Sequence, residues 1–412
     1  MPFLFALLFC LVPLAQAWAA DGLAFADGAR SMVERNRDIQ AARRNLEAAE
    51  AALLAAGGRP NPTLSLNTTA ISPKDGVGPG PLLDKRADTV LRLDQLIERG
   101  DKRGLRLAQA EALLQAARAD LANTVRQQRA AYGAAYYDLL AAQEQLAIAE
   151  DSAHLAQQGL EKARLRYRSG DIAGVDLARI ETDALRTDGD RLNAERDLGS
   201  ARLALATLLA REGSVDDLRV QGPWPALDAG APAAVDVELR ADVVAARHRA
   251  DAAAVGRQLA EALRKRDVTV GLQLERNYPT SGKLYGVGIS IPLFTGYDYE
   301  GEIRRAASDA DAALEQVERS RAAARAEIAR QRRDLELARR RARQLHDEIL
   351  PLAQKAARGV ELAYSHGAAS LLDLLDARRA LRASEHDLVA AQADHARSLA
   401  NLQAATETGA EQ

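Results

Sequence analysis

The sequence repeats itself at a fixed spacing of 197 residues. The segment LIERGDKRG, which starts at Leu96, matches LFTGYDYEG, which starts at Leu293. Further along, YRSGDIAGVDL from Tyr167 matches YSHGAASLLDL from Tyr364, with the same spacing and no gap between the two matches. An internal duplication constrains an architecture more tightly than local propensities do. We therefore predict two structural copies of one long unit whose length is constrained.

Each copy contains a long stretch with a helical pattern. Between Gly104 and Tyr167 there is no proline, and large residues recur every seven positions, opposite a second line of alanines. This spacing predicts a coiled-coil helix of about 65 residues, roughly 100 Å long, which exceeds the size of a globular domain. The large residues are Val125, Tyr132, Leu139, Leu146, Leu160 and Tyr167. The second copy has a similar seam from Leu314 to Leu352, and Pro351 predicts a kink in it.

Composition agrees with long helices and excludes several classes of function. Hydrophobic residues make up 47% of the 412 residues but aromatic residues only 4%, so alanine and leucine dominate, as close helix packing requires. The formal net charge of −3 gives no overall basic field for a nucleic-acid partner. The six histidines are scattered, and no nucleophile motif is present. We predict no enzymatic activity, no cofactor and no bound metal.

Glycine turns and shorter helices complete each copy. Gly170 and Gly367 follow the long helices and predict turns there, with returning helices at about 173–212 and 369–405. Two further helices are predicted at about 23–56 and 236–266. The proline-rich segment 214–235 is predicted to be the linker between the copies.

Two pairs of short segments alternate between apolar and polar residues. They are 63–70 and 89–95 in the first copy, and 268–276 and 285–292 in the second. Period-two alternation predicts strands with one apolar face, joined as hairpins at about 63–95 and 268–292. At about 3.3 Å per residue these strands match an outer-membrane hydrocarbon band, although a small sheet in a soluble domain has the same pattern.

The strand register of the two copies differs. At a spacing of 197 residues, the apolar faces of the segments 89–95 and 285–292 are out of step by one position. One copy must therefore contain either a β-bulge or a one-residue slip.

The first twenty residues predict export. Residues 3–17 are uncharged and mostly apolar, and Ala-Trp-Ala-Ala then precedes Asp21, which is typical of a signal peptide cleaved after Ala17 or Ala19. No Lys or Arg precedes the apolar run. A membrane anchor is the alternative, but the run is shorter than the ~20 residues that span a bilayer. We predict a signal peptide at 1–20, which contains Cys10, the one cysteine of the chain.

The motifs resemble those of the TolC family of outer-membrane efflux proteins. YSHGAASLLDLLDARRAL (364–381) is similar to the family's tip segment, and ISIPLFTG (289–296) is similar to its strand-to-helix junction. The segments QLIERGDKRGLRLAQAEA (95–112) and ILPLAQKA (349–356) resemble most closely the heavy-metal branch, whose members serve cation-exporting pumps.

The resemblance implies a mainly α fold with a small β part. In this family, three identical chains form a twelve-stranded barrel in the outer membrane, and long antiparallel helices form a tunnel in the periplasm. On this plan the first repeat is 21–213, the second is 236–405, and 406–412 is a C-terminal tail. The implied partners are two further copies of the chain, outer-membrane lipid, a periplasmic adaptor protein and an inner-membrane pump of the resistance-nodulation-division (RND) class. Energy would come from the pump.

The resemblance also implies site residues at the periplasmic tip. Asp373 and Asp376 fall on the positions of the family's aspartate rings, and Tyr364 on its gate tyrosine. Asp176 falls on the acidic partner of that tyrosine, and Ala369 replaces the family's gate arginine, so the closing network must differ here. Gly170 and Gly367 mark the turns where an adaptor would dock. Ordinary solvated carboxylates remain the alternative interpretation of the aspartates.

The sequence leaves the exported substrate open. Export of heavy-metal cations is favoured, and drug or solvent efflux or type I secretion is the alternative within the same fold. A soluble periplasmic coiled-coil scaffold is the alternative from a different class, but the paired strands and the duplication argue against it.

Overall fold

A computed structural model describes residues 22–74, 76–81, 85–228, 230, 236–280 and 282–408. These residues form eight α-helices and one four-stranded sheet, which confirms the predicted mainly helical class with a small β part. The elements are α1 (Phe25–Arg35), α2 (Arg37–Ala56), β1 (Thr63–Thr69), β2 (Asp88–Ile97), α3 (Lys102–Arg168), α4 (Gly174–Leu208), α5 (Ala241–Ala262), β3 (Val268–Arg276), β4 (Lys283–Ser290), α6 (Glu300–Gln344), α7 (Leu350–Ser365) and α8 (Leu371–Thr406). The predicted signal peptide at 1–20 lies outside the described residues, as do residues 409–412 of the predicted tail and residues 231–235 of the linker.

Helix α3 has 67 residues and agrees closely with the predicted long helix. Val125, Tyr132, Leu139 and Leu160 of the predicted seam are buried, whereas Tyr167 at its end is exposed. Alternating large residues with alanine therefore identified the packed side of this helix over most of its length.

The first predicted helix is divided in two at Asn36. The side-chain oxygen of Asn36 accepts hydrogen bonds from the backbone N–H groups of Asp38 (2.9 Å) and Ile39 (3.2 Å). Because these donors have no partner within the first turn of a helix, an asparagine at this position starts a new helix, α2.

The second long helix is interrupted close to the predicted kink. Helix α6 ends at Gln344, and a five-residue π-helical turn, Leu345–Ile349, joins it to α7. Pro351 lies in the first turn of α7, and its ring would clash with the carbonyl group four residues earlier in a regular helix. A wider π turn relieves that clash, so the kink predicted at Pro351 is a π-helical turn just before the proline.

The four strands form one antiparallel sheet in the order β1-β2-β3-β4. One row of paired residues crosses the whole sheet, from Leu66 to Leu91, Leu274 and Tyr285. The two predicted hairpins are confirmed by the pairings of β1 with β2 and of β3 with β4. The pairing of β2 with β3, which joins the repeats into one sheet, was not predicted.

The register difference between the repeats is a slip. The three ladders pair residue for residue without a bulge. Residues 98–101 join β2 to α3, whereas the longer segment 291–299 joins β4 to α6. The second connection is therefore five residues longer than the first.

The chain divides into two compact units, and each contains segments of both repeats. Unit 1 comprises the described residues within Met1–Val33, Ala131–Ala229 and Leu337–Arg397, and unit 2 those within Glu34–Ala130, Gly230–Glu336 and Ser398–Gln412. No helix in the described part of the chain is both long and apolar enough to cross a membrane.

Unit 1 contains a cluster of aromatic side chains, namely Phe25, Tyr132, Tyr136, Tyr137 and Trp224. The hydroxyl of Tyr132 donates to the carbonyl of Phe25 (2.9 Å), and the hydroxyl of Tyr136 donates to that of Gln221 (2.6 Å). Burial raises the pKa of Tyr136 to about 12, so this hydroxyl keeps its proton. These bonds fasten the start of α1 and the linker segment near Gln221 to α3.

Unit 2 contains a buried group of charged residues around Arg240. Only 2% of Arg240 is exposed, and its Nη2 lies 2.7 Å from Asp242 Oδ2 and 2.6 Å from Glu327 Oε2. Arg126, also buried, lies 3.6 Å from Glu327. Burial lowers the pKa of Arg126, and the neighbouring charge of Arg240 lowers it further. The two arginines therefore share two carboxylates. Each buried positive charge lies beside a negative one, and this pairing offsets the cost of burying either charge alone.

Candidate functional site

The two predicted tip turns have the same backbone geometry. Gly170 and Gly367 adopt φ values of +82° and +76°, a left-handed conformation that favours glycine at the end of a helix. In the first turn the N–H of Asp171 donates to the carbonyl of Arg166 at 2.8 Å. In the second turn the equivalent bond joins Ala368 to Ala363, also at 2.8 Å. The bonded pairs are 197 residues apart, so the sequence repeat is also a repeat of hydrogen bonds.

Asp373 and Asp376 lie in the first turns of α8. The carboxylate of Asp373 accepts hydrogen bonds from the hydroxyl (2.7 Å) and the backbone N–H (2.9 Å) of Ser370. These two bonds hold the pKa of Asp373 below its usual value, so it stays ionised near neutral pH. Asp376 lies 3.6 Å from Arg379 on the same helix. Asp373 is therefore a negatively charged group beside the second turn, and Asp376 lies three residues further along α8.

Tyr364 and Asp176 line the same cavity in unit 1, which has a volume of about 660 Å³. The hydroxyl of Tyr364 accepts a hydrogen bond of 3.5 Å from Arg166 on α3. Asp176 instead lies 3.5 Å from Arg179, one turn along α4. Among the described residues no hydrogen bond joins Tyr364 to Asp176. The two side chains therefore line one cavity but do not contact each other through a hydrogen bond.

A buried aspartate near the tip was not predicted. Asp183 on α4 is only 7% exposed, and its Oδ1 accepts hydrogen bonds from Nε (3.1 Å) and Nη2 (3.0 Å) of Arg379 on α8. Arg382, also on α8, lies 3.7 Å from Asp183 and donates to the hydroxyl of buried Thr187 at 3.0 Å. We call these four residues the Asp183 cluster. It ties the returning helix of the first repeat to that of the second.

One signal in the sequence could have identified Asp183. It lies seven residues after Asp176, and two helical turns place residues seven apart on nearly the same side of a helix. Asp183 therefore lies on the same side of α4 as Asp176, which makes it a candidate for the same site.

The sheet of unit 2 has one apolar and one polar face. The apolar face carries Leu64, Leu66, Leu91, Leu93, Val270, Leu272, Leu274, Tyr285, Val287 and Ile289. Many of these side chains are exposed, with 57% of Leu272 and 82% of Tyr285 accessible. The opposite face carries Ser65, Asn67, Asp94 and Gln273, with Arg92 Nε 2.8 Å from Asp94. A sheet that exposes large apolar side chains on one side requires an apolar environment there.

No group of three or more His, Cys, Asp or Glu side chains in the described ranges is placed to hold a metal ion. The carboxylates of Asp183 on α4 and of Asp373 on α8 have arginine and serine as their partners.

Comparison with known proteins agrees with this geometry. The cobalt-zinc-cadmium resistance protein CzcC of Cupriavidus metallidurans is 27% identical over 379 residues, which cover 90% of this chain and 87% of CzcC. The outer membrane channel CmeC of Campylobacter jejuni superposes with a TM-score of 0.82 at 15% identity, over 94% of this chain and 87% of CmeC. The outer membrane protein VceC of Vibrio cholerae gives a TM-score of 0.74 at 20% identity, over 93% and 96% of the two chains.

The fold is shared with solved proteins of the bacterial outer membrane, namely VceC and the channel CmeC. The family model described as "Outer membrane efflux protein" matches residues 29–211 and 237–408. The chain belongs to the outer membrane efflux protein family. This confirms the predicted resemblance and the predicted location in the outer membrane.

Proposed function

We propose that the protein is the exit duct of a tripartite efflux system. In this proposal three copies of the chain conduct substrate passively out of the periplasm, without a chemical step. A periplasmic adaptor protein and an inner-membrane RND pump deliver the substrate and supply the energy. The observation that carries the proposal is the sheet of unit 2, whose exposed apolar face suits lipid and whose opposite face suits water.

The sheet also supports the proposed homotrimer. Within the described residues, β1 and β4 are each paired along one side only. Four strands are too few to close into a barrel, and lipid tolerates no unpaired strand edge. Three chains would provide twelve strands and would pair every edge.

We propose heavy-metal cations as the cargo. The support is the similarity to CzcC, whose name describes cobalt, zinc and cadmium resistance and which matches most of this chain. A duct that conducts passively needs no resident metal site, so the cargo would be recognised by the pump.

Growth of a deletion strain tests this cargo directly. Deletion of the gene is expected to lower the zinc, cobalt or cadmium concentration that stops growth, and a plasmid copy is expected to restore it. Sensitivity to drugs and organic solvents is measured in parallel as the control. If only drug or solvent sensitivity changes, the metal cargo is excluded while the channel proposal stands.

We further propose that Asp373 and Asp376 form negatively charged rings at the pore entrance, closed by contacts around Tyr364 and Asp176. Ala369 replaces the family's gate arginine, and the Asp183 cluster offers two arginines on α8 for the same purpose. Gly170 and Gly367 would present the turns to the adaptor. Three carboxylates around one axis favour cations and repel anions.

Conductance of the reconstituted channel tests these rings. Exchanging Asp373 and Asp376 together for asparagine is expected to lower the cation-to-anion permeability ratio severalfold, because six negative charges leave the trimer entrance. Asparagine can still cap α8 beside Ser370, so folding is preserved. The matched control exchanges Asp216 and Asp217, two exposed linker aspartates, for asparagine. An unchanged ratio in the tip variant would show that its carboxylates do not line the entrance.

A further inference from the structure

The helix-side end of the sheet brings together two charged segments of unit 2, residues 97–103 and 264–268. The backbone N–H of Arg99 donates to Asp267 Oδ1 at 2.9 Å. Lys102 Nζ donates to the same oxygen and to the carbonyl of Lys265, both at 2.8 Å. The side chain of Lys265 lies over Gly100, where a Cβ would come within 2.7 Å of its Cγ. These contacts fix the two segments beside each other, just beyond Ile97 at the end of the apolar face.

Three acidic residues around these segments have cationic partners. Glu98 accepts from Arg106, Asp267 from Lys102, and Asp298 from Arg264. The carboxylate of Asp101 lies against Gly104 at the start of α3, where a Cβ would come within 2.4 Å of it.

Four exposed cations of these segments have no ion pair within the described ranges. Arg103 donates to the carbonyl of Gly57, which leaves Arg99, Lys265 and Arg266. We call them the basal cations. The segments 97–103 and 264–268 contain six basic and three acidic residues, so this end of the sheet carries a net positive charge.

An aromatic cluster adjoins the basal cations. The guanidinium carbon of Arg266 lies 5.2 Å from the ring centre of Phe294, which suits a cation–π contact. Tyr299 lies 5.2 Å from Phe294 and 5.8 Å from Tyr297, measured between ring centres, and Tyr297 is exposed. Tyrosine is typical of the boundary between hydrocarbon and water, because its ring is apolar and its hydroxyl is polar.

The two repeats differ at this boundary. Between residues 57 and 104 the first repeat contains no aromatic residue. At the positions equivalent to Phe294, Tyr297 and Tyr299 it has Ile97, Gly100 and Lys102. The second repeat thus supplies the aromatic rings, and the basal cations come from both repeats.

We propose that the basal cations and the aromatic cluster bind the headgroups of anionic phospholipids in the periplasmic leaflet of the outer membrane. The inference rests on the proposed membrane position of the sheet. Apolar side chains end at Ile97 and Val268, and the basal cations lie within three residues of them, at the depth of lipid phosphates. Guanidinium groups match the geometry of phosphate oxygens, and long basic side chains can extend along apolar surface toward the headgroups.

Lipid retention by the purified full-length protein tests this binding. The probes are phosphatidylglycerol, phosphatidylethanolamine and free glycerol phosphate, and the readout is the amount bound per chain by native mass spectrometry. The test variant exchanges Arg99, Lys265 and Arg266 for glutamine. Because each basic residue near an anionic surface contributes about fivefold, we expect the variant to lose at least about tenfold in phosphatidylglycerol retention. Phosphatidylethanolamine retention is expected to change little.

Two controls make the result specific. Exchanging Arg325, Arg330 and Arg332 on α6 for glutamine removes the same charge from exposed positions away from the sheet, and is expected to leave retention unchanged. Exchanging Arg99 and Arg266 for lysine keeps the charge and should keep most of the binding.

Three results would overturn the proposal. They are equal losses in the glutamine variant and the α6 control, no preference of the unmodified protein for phosphatidylglycerol, or equal binding of free glycerol phosphate. Failure of the proposed function is distinguishable, because deletion of the gene would then change neither metal, drug nor solvent sensitivity, whatever the lipid preference of the purified protein.

Discussion

Replacing Leu272 by arginine is expected to abolish assembly of the protein in the outer membrane. Leu272 lies on β3 in the middle of the apolar face, paired with Leu93 on one side and Val287 on the other. An arginine that faces lipid near the middle of the bilayer costs about 2–4 kcal/mol. A trimer would carry that cost three times. The measurement is the amount of SDS-resistant trimer in isolated outer membranes.

The matched control is Thr269→Arg, three residues away on the same strand but on the opposite face. Thr269 pairs with Leu96 and Ser290, on the face that carries Arg92 and Gln273. In a barrel this face lines water, so an added charge is tolerated there. Equal loss of trimer in both variants would mean that the apolar face does not contact lipid.

Replacing Arg240 by methionine is expected to destabilise the protein more than loss of an exposed arginine. Methionine fills a similar volume but leaves the carboxylates of Asp242 and Glu327 with Arg126 as their remaining close cation. Breaking a buried ion pair from one side costs about 3–5 kcal/mol, and we expect about 2–4 kcal/mol here because both carboxylates are partly exposed. The measurement is the thermal unfolding midpoint of the purified protein.

The pH dependence of this loss has a defined sign. Burial alone would raise the pKa of Asp242, but its hydrogen bond to Arg240 and the charges of Arg240 and Arg126 hold the pKa below its usual value. A lowered pKa in the folded state stabilises the protein above the unfolded pKa, and this contribution is lost as the pH falls through the folded value. The difference in stability between the unmodified protein and the Arg240→Met variant is therefore expected to be largest at neutral pH and to shrink below about pH 4.

Arg257→Met is the matched control for Arg240. Arg257 is exposed on α5, the helix that Arg240 immediately precedes, and pairs with exposed Glu261. Surface pairs of this kind contribute little, so the unfolding midpoint should hardly change. If the two variants lose the same stability, the buried charges around Arg240 do not contribute as argued.

Local patterns in the sequence predicted most of the elements. Alternation over 268–276 identified β3 to the residue, and the heptad pattern identified α3 to within two residues at each end. Asn36 is recognisable in the sequence as a helix-capping residue, and Pro351 as a helix-breaking residue. The wide turn at Leu345–Ile349 was beyond prediction, because a proline can be accommodated by a kink or by a π turn.

Contacts between distant segments were harder to predict. Nothing in the pattern of β2 indicates that its second neighbour is β3 from the other repeat. Asp183 is one of 58 acidic residues, and its burial depends on two arginines almost 200 positions away. The roles proposed for Asp373, Asp376, Tyr364 and Asp176 came from resemblance, and the structure adds their present partners.

The unpaired sides of β1 and β4 have a consequence for biogenesis. Within the described part of a single chain, each outer strand carries a row of N–H and C=O groups that pair with no neighbouring strand, and hydrocarbon offers these groups no partner. In the proposed trimer, insertion therefore cannot precede association. The rate of maturation should then rise more steeply than the first power of chain concentration, since subunits must meet before the bilayer accepts them. A chain that waits alone would need protection from pairing its edges with other proteins in the periplasm.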